Sequence, residues 1–282
     1  MATAITADST CDISPVLYKR YDVTMVSLYI TLGDETYRDG VEIAPKDLFQ
    51  YVERTGELPK TAAPSPEDYR AAFERLTGEG KGVVHISISS EMSASYSNAC
   101  RAAKEFGDVY VIDSRSLSSG SGLLVIKAAE LAACGLPAKE VASRIEALVH
   151  QVEASFVVDT LTYLHKGGRC SSVAALGANL LHLKPCIEVR DGRMQVSKKY
   201  RGTLKRCLND YIRDRLEDRA DIDPSRAFIT HTVQDAVLVE HARKAVLDAF
   251  PFVEVLITDA GGTISSHCGP GTLGVLFLRK EA

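Results

Sequence analysis

The feature that most constrains this chain is the alternation of short β-branched runs with helix-patterned segments through its first half. Ala2–Ala7 reads as an apolar strand ending at Asp8-Ser9-Thr10, and Val23–Ile30 as a second strand rich in β-branched and aromatic residues. Pro66–Leu76 carries helical spacing, with Ser65 as a natural N-cap before a proline at the first helical position. Then come a strand over Gly82–Ser89, a helix over Tyr96–Phe106, a strand over Val109–Ile112, and helices over Gly122–Ala133 and Ala138–Val152. This order predicts an α/β fold in which a parallel sheet is covered by flanking helices on both faces.

After about residue 155 the pattern changes. Phe156–Asp159, Cys186–Val189 and Met194–Lys198 read as strands, the last two joined through a tight Asp191-Gly192 turn. An amphipathic helix over Leu204–Arg219 precedes a strand at Ala227–Thr230, a helix over Asp235–Ala249 and closing strands at Val253–Thr258 and Leu273–Leu278. Hairpin signals mixed with helices predict a second, mixed-sheet α/β domain. The expected division is residues 1–155 and 156–282, with no Pro/Ser/Gly-rich linker between them.

A net charge of −4 argues against a general nucleic-acid binder. The opening residues lack the basic start and apolar run of a signal peptide, and no stretch approaches the ~20 apolar residues that span a bilayer. The seven cysteines are odd in number, scattered and never spaced Cys-x-x-Cys, which suits reduced thiols in a cytoplasm better than disulfides or zinc. No metal or cofactor is expected.

Ligands of open parallel sheets bind beyond the carboxyl ends of the strands. Three predicted strands end there in hydroxyl runs: Asp8-Ser9-Thr10, Ser87 to Ser93, and Asp113-Ser114 followed by Ser116, Ser118 and Ser119. Ser93 and Ser95 stand just before the helix near Tyr96, where free backbone N–H groups can meet an anion. The same serines could equally be caps and turn formers. Gly269-Pro270-Gly271-Thr272-Leu273-Gly274 fits G-x-G-x-x-G on paper, but only eight residues follow, too few for a dinucleotide fold. Its glycines suit a tight turn beside His267, which is expected between a strand-like run and that turn, near a ligand's polar head or bonded to a carbonyl. Gly167-Gly168 can let the chain fold tightly and aim Arg169 at a carboxylate, or leave it in an exposed turn. Lys198-Lys199-Tyr200-Arg201 with Lys205-Arg206 makes a local basic patch. There is no Walker A sequence, no H-E-x-x-H and no nucleophile elbow.

The ordered motifs resemble the DegV family from end to end. They are Asp8-Ser9-Thr10-Cys11-Asp12, Thr61-Ala62-Ala63-Pro64-Ser65, Ile88 to Tyr96, Val111-Ile112-Asp113-Ser114, Asp159 to Arg169, Lys184-Pro185 and His267-Cys268-Gly269-Pro270-Gly271. The resemblance implies a fatty acid lying between two domains, its carboxylate at the interface and its acyl tail in the C-terminal one. It implies hydrogen bonds from Thr61 and Ser93 to the carboxylate, with His267 nearby and Arg169 in support. It further implies presentation to a separate ATP-dependent fatty acid kinase that makes acyl-phosphate for phospholipid synthesis, with Arg201 serving the handover, and no catalysis by this chain alone. The chain departs from the family where Thr-Ser-Gln-Pro-Ser becomes Thr61-Ala62-Ala63-Pro64-Ser65 and Ser-Gly-Thr becomes Ser93-Ala94-Ser95.

Leu176, Leu180, Leu181, Leu183 and Ile187 are expected either to line the tail channel or to form plain core. The rival readings are a stand-alone hydrolase or phosphotransferase using Asp8, Ser93 and His267, a carrier of another acidic lipid, and an interaction protein with an empty pocket.

Overall fold

The computed structural model describes residues 2–170 and 183–280. The first half runs β1 (Thr3–Asp8), α1 (Pro15–Arg20), β2 (Val23–Val26), β3 (Tyr29–Leu32), β4 (Glu35–Arg38), α2 (Pro45–Thr55), β5 (Lys60–Ala62), α3 (Pro66–Gly78), β6 (Gly82–Ser87), α4 (Ser95–Ala103), β7 (Val109–Asp113), α5 (Ser118–Ala133) and α6 (Ala138–Leu148). Strands β2-β1-β6-β7 form a four-stranded sheet, parallel throughout. Every residue of β6 is buried, as a central strand covered on both faces requires. Val84 and Ile86 pack with α5 and α6, whereas Val83 packs with Tyr69 and Phe73 of α3 and Ala99 of α4.

The second half runs β8 (Val152–Val157), α7 (Thr162–Gly167), β9 (Leu183–Arg190), β10 (Arg193–Arg201), α8 (Leu204–Leu216), β11 (Ile222–His231), α9 (Ala236–Ala249), β12 (Glu254–Asp259), α10 (Gly262–Cys268) and β13 (Leu273–Arg279). Its six strands pair in the order β10-β9-β8-β13-β11-β12. Only β11 and β12 run parallel; the rest are antiparallel. The fold is therefore α/β with one parallel and one mixed sheet, as the sequence predicts. The β9–β10 turn takes the positive φ values of 50° at Asp191 and 79° at Gly192, the requirement that favours Asp-Gly in a two-residue hairpin.

The two sheets share α5. Its residues are buried almost all round, and its core cluster joins Ile5, Val84 and Ile86 of the parallel sheet to Ala154, Phe228 and Leu276 of the mixed sheet. A helix apolar on every side belongs in such an interior. The opposite face of the mixed sheet is covered by α8 and α9, around Tyr211, Leu208 and Val246.

Two sequence expectations are corrected here. Val23–Ile30 is not one strand: β2 joins the parallel sheet, while β3 turns away into a separate antiparallel sheet ordered β4-β3-β5. The break falls at Leu28, whose N–H is taken by the side chain of Ser9 instead of a strand partner (3.1 Å). His267 does not sit between a strand and a turn but on the helix α10. Among the described residues no helix is long and apolar enough to cross a membrane.

Candidate functional site

Four residues far apart in sequence, Thr61, Ser93, Arg169 and His267, line one cavity together with Thr263. The empty space is about 520 Å³, solvent at its mouth included, and its remaining wall is mainly apolar: Leu28, Ile88, Met92, Leu117, Met194 and Ile264. Ala62 and Ala63 add two methyl groups beside Thr61. Behind the wall, Ile88, Met92, Leu117, Met194 and Ile264 continue into an apolar cluster with Phe156, Val158, Leu164 and Ile187. Of the expected tail-channel residues, Ile187 belongs to that cluster, Leu183 lies outside it, and 176, 180 and 181 fall outside the described residues.

Thr61 is placed by β5, where it pairs with Ile30 of β3. Its Oγ1 lies 2.8 Å from Nε2 of His267. The other ring nitrogen, Nδ1, is buried without a partner beneath Gly167, where even a Cβ would come within 2.5 Å of it. Burial, and then the nearby charge of Arg169, push the imidazole pKa down to about 4. The ring is therefore neutral at pH 7 and carries one N–H. On Nδ1 that proton would be a buried donor with no acceptor, whereas on Nε2 it is given to Thr61. The Nε2–H form is thus the less costly, and Thr61 keeps its own hydroxyl proton for a group in the cavity.

The helix carrying His267 is held from a distance. Oδ1 of Asp12 accepts from Gly261 N–H at 2.9 Å, and Oδ1 and Oδ2 of Asp39 accept from Gly262 N–H (2.9 Å) and Thr263 N–H (3.2 Å). Ser118 and Ser9 donate to the same two carboxylates, at 2.5 and 3.0 Å. Their carboxyl oxygens satisfy the unpaired N–H groups that open any helix, while burial holds the Asp12 carboxyl well above the usual carboxylate range. Added Cβ atoms would approach Asp12 Oδ1 to 2.8 Å at Gly261 and the Ile30 side chain to 2.5 Å at Gly262, so both glycines are needed for this approach. Past the helix, Gly269 and Gly271 take φ values of 75° and 72°, the tight turn the sequence suggests.

Ser93 precedes α4. Its Oγ lies 2.9 Å from Ser95 Oγ and accepts from Ser95 N–H at 3.2 Å. Ser95 in turn meets the Tyr69 hydroxyl, which donates to Asp8 at 2.6 Å. Asp8 is 1% exposed and also accepts from Ser87 Oγ (2.7 Å) and Ile88 N–H (2.9 Å). It does not line the cavity. Asp8 thus anchors a hydroxyl chain that ends at Ser93, buried away from the cavity instead of facing it as the hydrolase reading requires. The third hydroxyl run lies elsewhere too: Ser114 with Ser121 (2.8 Å), and Ser118 with Asp12, are buried hydrogen-bond pairs around α5. Of the three runs, only the one containing Ser93 brings a hydroxyl to the cavity; the third contributes Leu117 to its apolar wall.

Arg169 follows the left-handed Gly168 that ends α7, and donates to the Gly167 carbonyl at 2.8 Å. It is exposed yet lines the cavity, so it forms part of the rim. Arg201, at the end of edge strand β10, is exposed and not in the cavity wall. In the same basic run Lys198 is paired with Asp214. The residues that sequence reasoning misses are Thr263 and Asp39, together with the part played by Asp12, which itself stands in the first of the resembling motifs. Thr263 is four positions before His267, a spacing that would have signalled a shared helix face had α10 been expected. Among the described residues no group of three His, Cys, Asp or Glu converges as a metal site would.

Comparison with known proteins identifies the family. The model of the DegV family, described as an uncharacterised protein family, matches residues 2–280. A DegV domain-containing protein of Caldanaerobacter subterraneus subsp. tengcongensis is 32% identical, over 98% of this chain and 99% of its own. A DegV family protein of Thermus thermophilus, whose structure is described by its fatty acid binding, is 33% identical with a TM-score of 0.90, covering 99% of this chain and 100% of its own. A stearic-acid-binding protein of Eubacterium ventriosum is 27% identical with a TM-score of 0.86, covering 99% and 98%. With its sequence matched almost from end to end, this chain belongs to the DegV family.

Proposed function

We propose that this protein binds a long-chain fatty acid, with the carboxylate held by Thr61 and Ser93 beside His267 and Arg169. The observation that carries the reading is one cavity joining those four polar residues, with Thr263, to a mainly apolar wall. An acyl chain of about 15 methylenes gains roughly 12 kcal/mol gross on leaving water, before ordering costs, so the tail supplies most of the affinity. The hydroxyls fix the orientation of the head. The fatty acid and stearic acid bound by the similar Thermus and Eubacterium proteins support the same ligand class.

The bound carboxylate is presented to a separate ATP-dependent fatty acid kinase, in which a carboxylate oxygen takes the γ-phosphoryl group and ADP leaves. This step rests on the family resemblance. Arg201, exposed at the end of β10 beside Lys199, is the residue assigned to the handover. Such a partnership, together with cysteines that are free in the fold, supports a cytoplasmic location.

The test is native mass spectrometry of freshly purified protein followed by lipid extraction. A stoichiometric C16–C18 acid, a range set by the ~0.8 kcal/mol gained per methylene, lost in Ser93→Ala, is the expected result. A pocket that is empty and refuses added fatty acid overturns the reading.

A further inference from the structure

Thr263 is a buried hydroxyl for which the fold provides no use. The residue is 5% exposed and lines the cavity, yet its Oγ1 is buried with no hydrogen-bond partner. Its neighbours on the same helix are satisfied: Ser265 Oγ donates to Ala260 O (3.0 Å) and Ser266 Oγ to Gly262 O (2.8 Å). The second pattern, a hydroxyl returned to the carbonyl four residues back, is the usual resort of a helical Ser or Thr. It fails at Thr263, because four residues back is Asp259, outside α10. Asp39 does not serve either, since its Oδ2 accepts the Thr263 N–H at 3.2 Å and not the hydroxyl. That same bond fixes the Thr263 backbone, so the hydroxyl can only turn among its staggered rotamers.

We infer that Thr263 is a ligand-binding residue of this cavity, its hydroxyl donating a hydrogen bond to the carboxylate of the bound acid. The inference rests on the fatty-acid reading of the site. Thr263 and His267 are separated by four positions and share one face of α10, the face that meets Thr61. A carboxylate has two oxygens and about four acceptor positions; Thr61 and Ser93 leave room for a third hydroxyl. A buried donor left unpaired is costly, and an ionised acceptor is the partner that repays it most. The site thus carries an unspent donor that the ligand completes.

Thr263→Val keeps the shape and removes only the hydroxyl, while Thr263→Ser keeps the hydroxyl. Delipidated wild type and both variants are titrated with palmitate and melted without it. The valine variant is expected to bind palmitate about tenfold more weakly, as for loss of one hydrogen bond to a charged group. Empty, it should melt at or up to ~4 °C above wild type, because no internal bond was lost. The serine variant should retain wild-type affinity. Equal affinity of wild type and Thr263→Val, or a lower melting temperature of the empty valine variant, overturns this inference alone. A wild type that binds no palmitate overturns the reading of the site and this inference with it.

Discussion

Oγ1 of Thr61 and Nε2 of His267 lie 2.8 Å apart, although 206 positions of sequence separate them. One residue comes from the small antiparallel sheet and the other from the helix ahead of the closing strand. Their bond directs the threonine proton into the cavity, so the two act on a bound carboxylate as a unit. Thr61→Val and His267→Ala should each weaken palmitate binding by about tenfold, the value of one hydrogen bond to a charged group. Because they share one bond, the double variant should lose less than the sum, with a coupling of about 0.5–1.5 kcal/mol. Calorimetric titration of all four proteins measures it; strict additivity would show that the pair does not cooperate.

The depressed basicity of His267 also sets a pH dependence. Its folded pKa of about 4 lies below the ordinary 6.5, so between those values the unfolded chain holds more protons than the folded one. Stability must then rise with pH through this window and fall as the pH drops from 6.5 towards 4. The loss attributable to this one ring is at most about 3 kcal/mol. His231 is depressed in the same direction by burial, so the informative quantity is a difference. Urea melts of wild type and His267→Gln across pH 4 to 7 should show a shallower acid loss in the variant, and parallel curves would contradict the assignment.

Gly167 gives a sharper test of ring placement. An added Cβ would stand 2.5 Å from Nδ1 of His267, yet Gly167 has no positive φ that would itself oppose alanine, and alanine favours helix. Gly167→Ala should therefore leave the fold intact while pushing the ring away from Thr61. The expected result is a melting temperature within a few degrees of wild type together with an affinity loss close to that of His267→Ala. Unchanged affinity would mean that the ring's position matters little for binding.

How much of this was legible beforehand depended on whether the cause was local. Ser65 caps α3 through its own side chain and Asp68, three residues on, and Asp191-Gly192 supplies the positive φ values of its turn, to whose carbonyls Arg115 and Ser89 only add bonds of 2.5 and 2.8 Å; both could be read directly. The motifs named the four polar residues that the fold gathers into one cavity. Helix α10 could not be read, because Gly261-Gly262-Thr263 is a poor helix start whose N–H groups are satisfied by Asp12 and Asp39, 249 and 223 positions away. The sequence puts the start of α5 near Gly122, and the helix begins at Ser118 for a similar reason. Its serines read as a loop, but Ser118 is paired with Asp12 and Ser121 with Ser114 (2.8 Å). Nothing in apolar spacing reveals which sheet a strand will join, so the parting of β2 from β3 was hidden as well.

The carboxylate of Asp39 offers the strongest single perturbation of the site from outside it. It is 1% exposed and accepts from Ser9 Oγ, Gly262 N–H and Thr263 N–H. Asp39→Ala would leave three buried donors without acceptors in a place where water cannot readily replace the carboxylate, a cost of about 2–4 kcal/mol. Asp39→Asn should cost less, since one oxygen remains, but its amide N–H₂ must face one of those donors. Urea denaturation should therefore rank wild type above asparagine and asparagine above alanine. Because these bonds hold the start of α10, and α10 carries both Thr263 and His267, the asparagine variant should also bind palmitate more weakly under conditions where it is fully folded. If it loses stability but keeps wild-type affinity, the carboxylate secures the helix without positioning its side chains, and the head of the cavity is set by Thr61 and Ser93 alone.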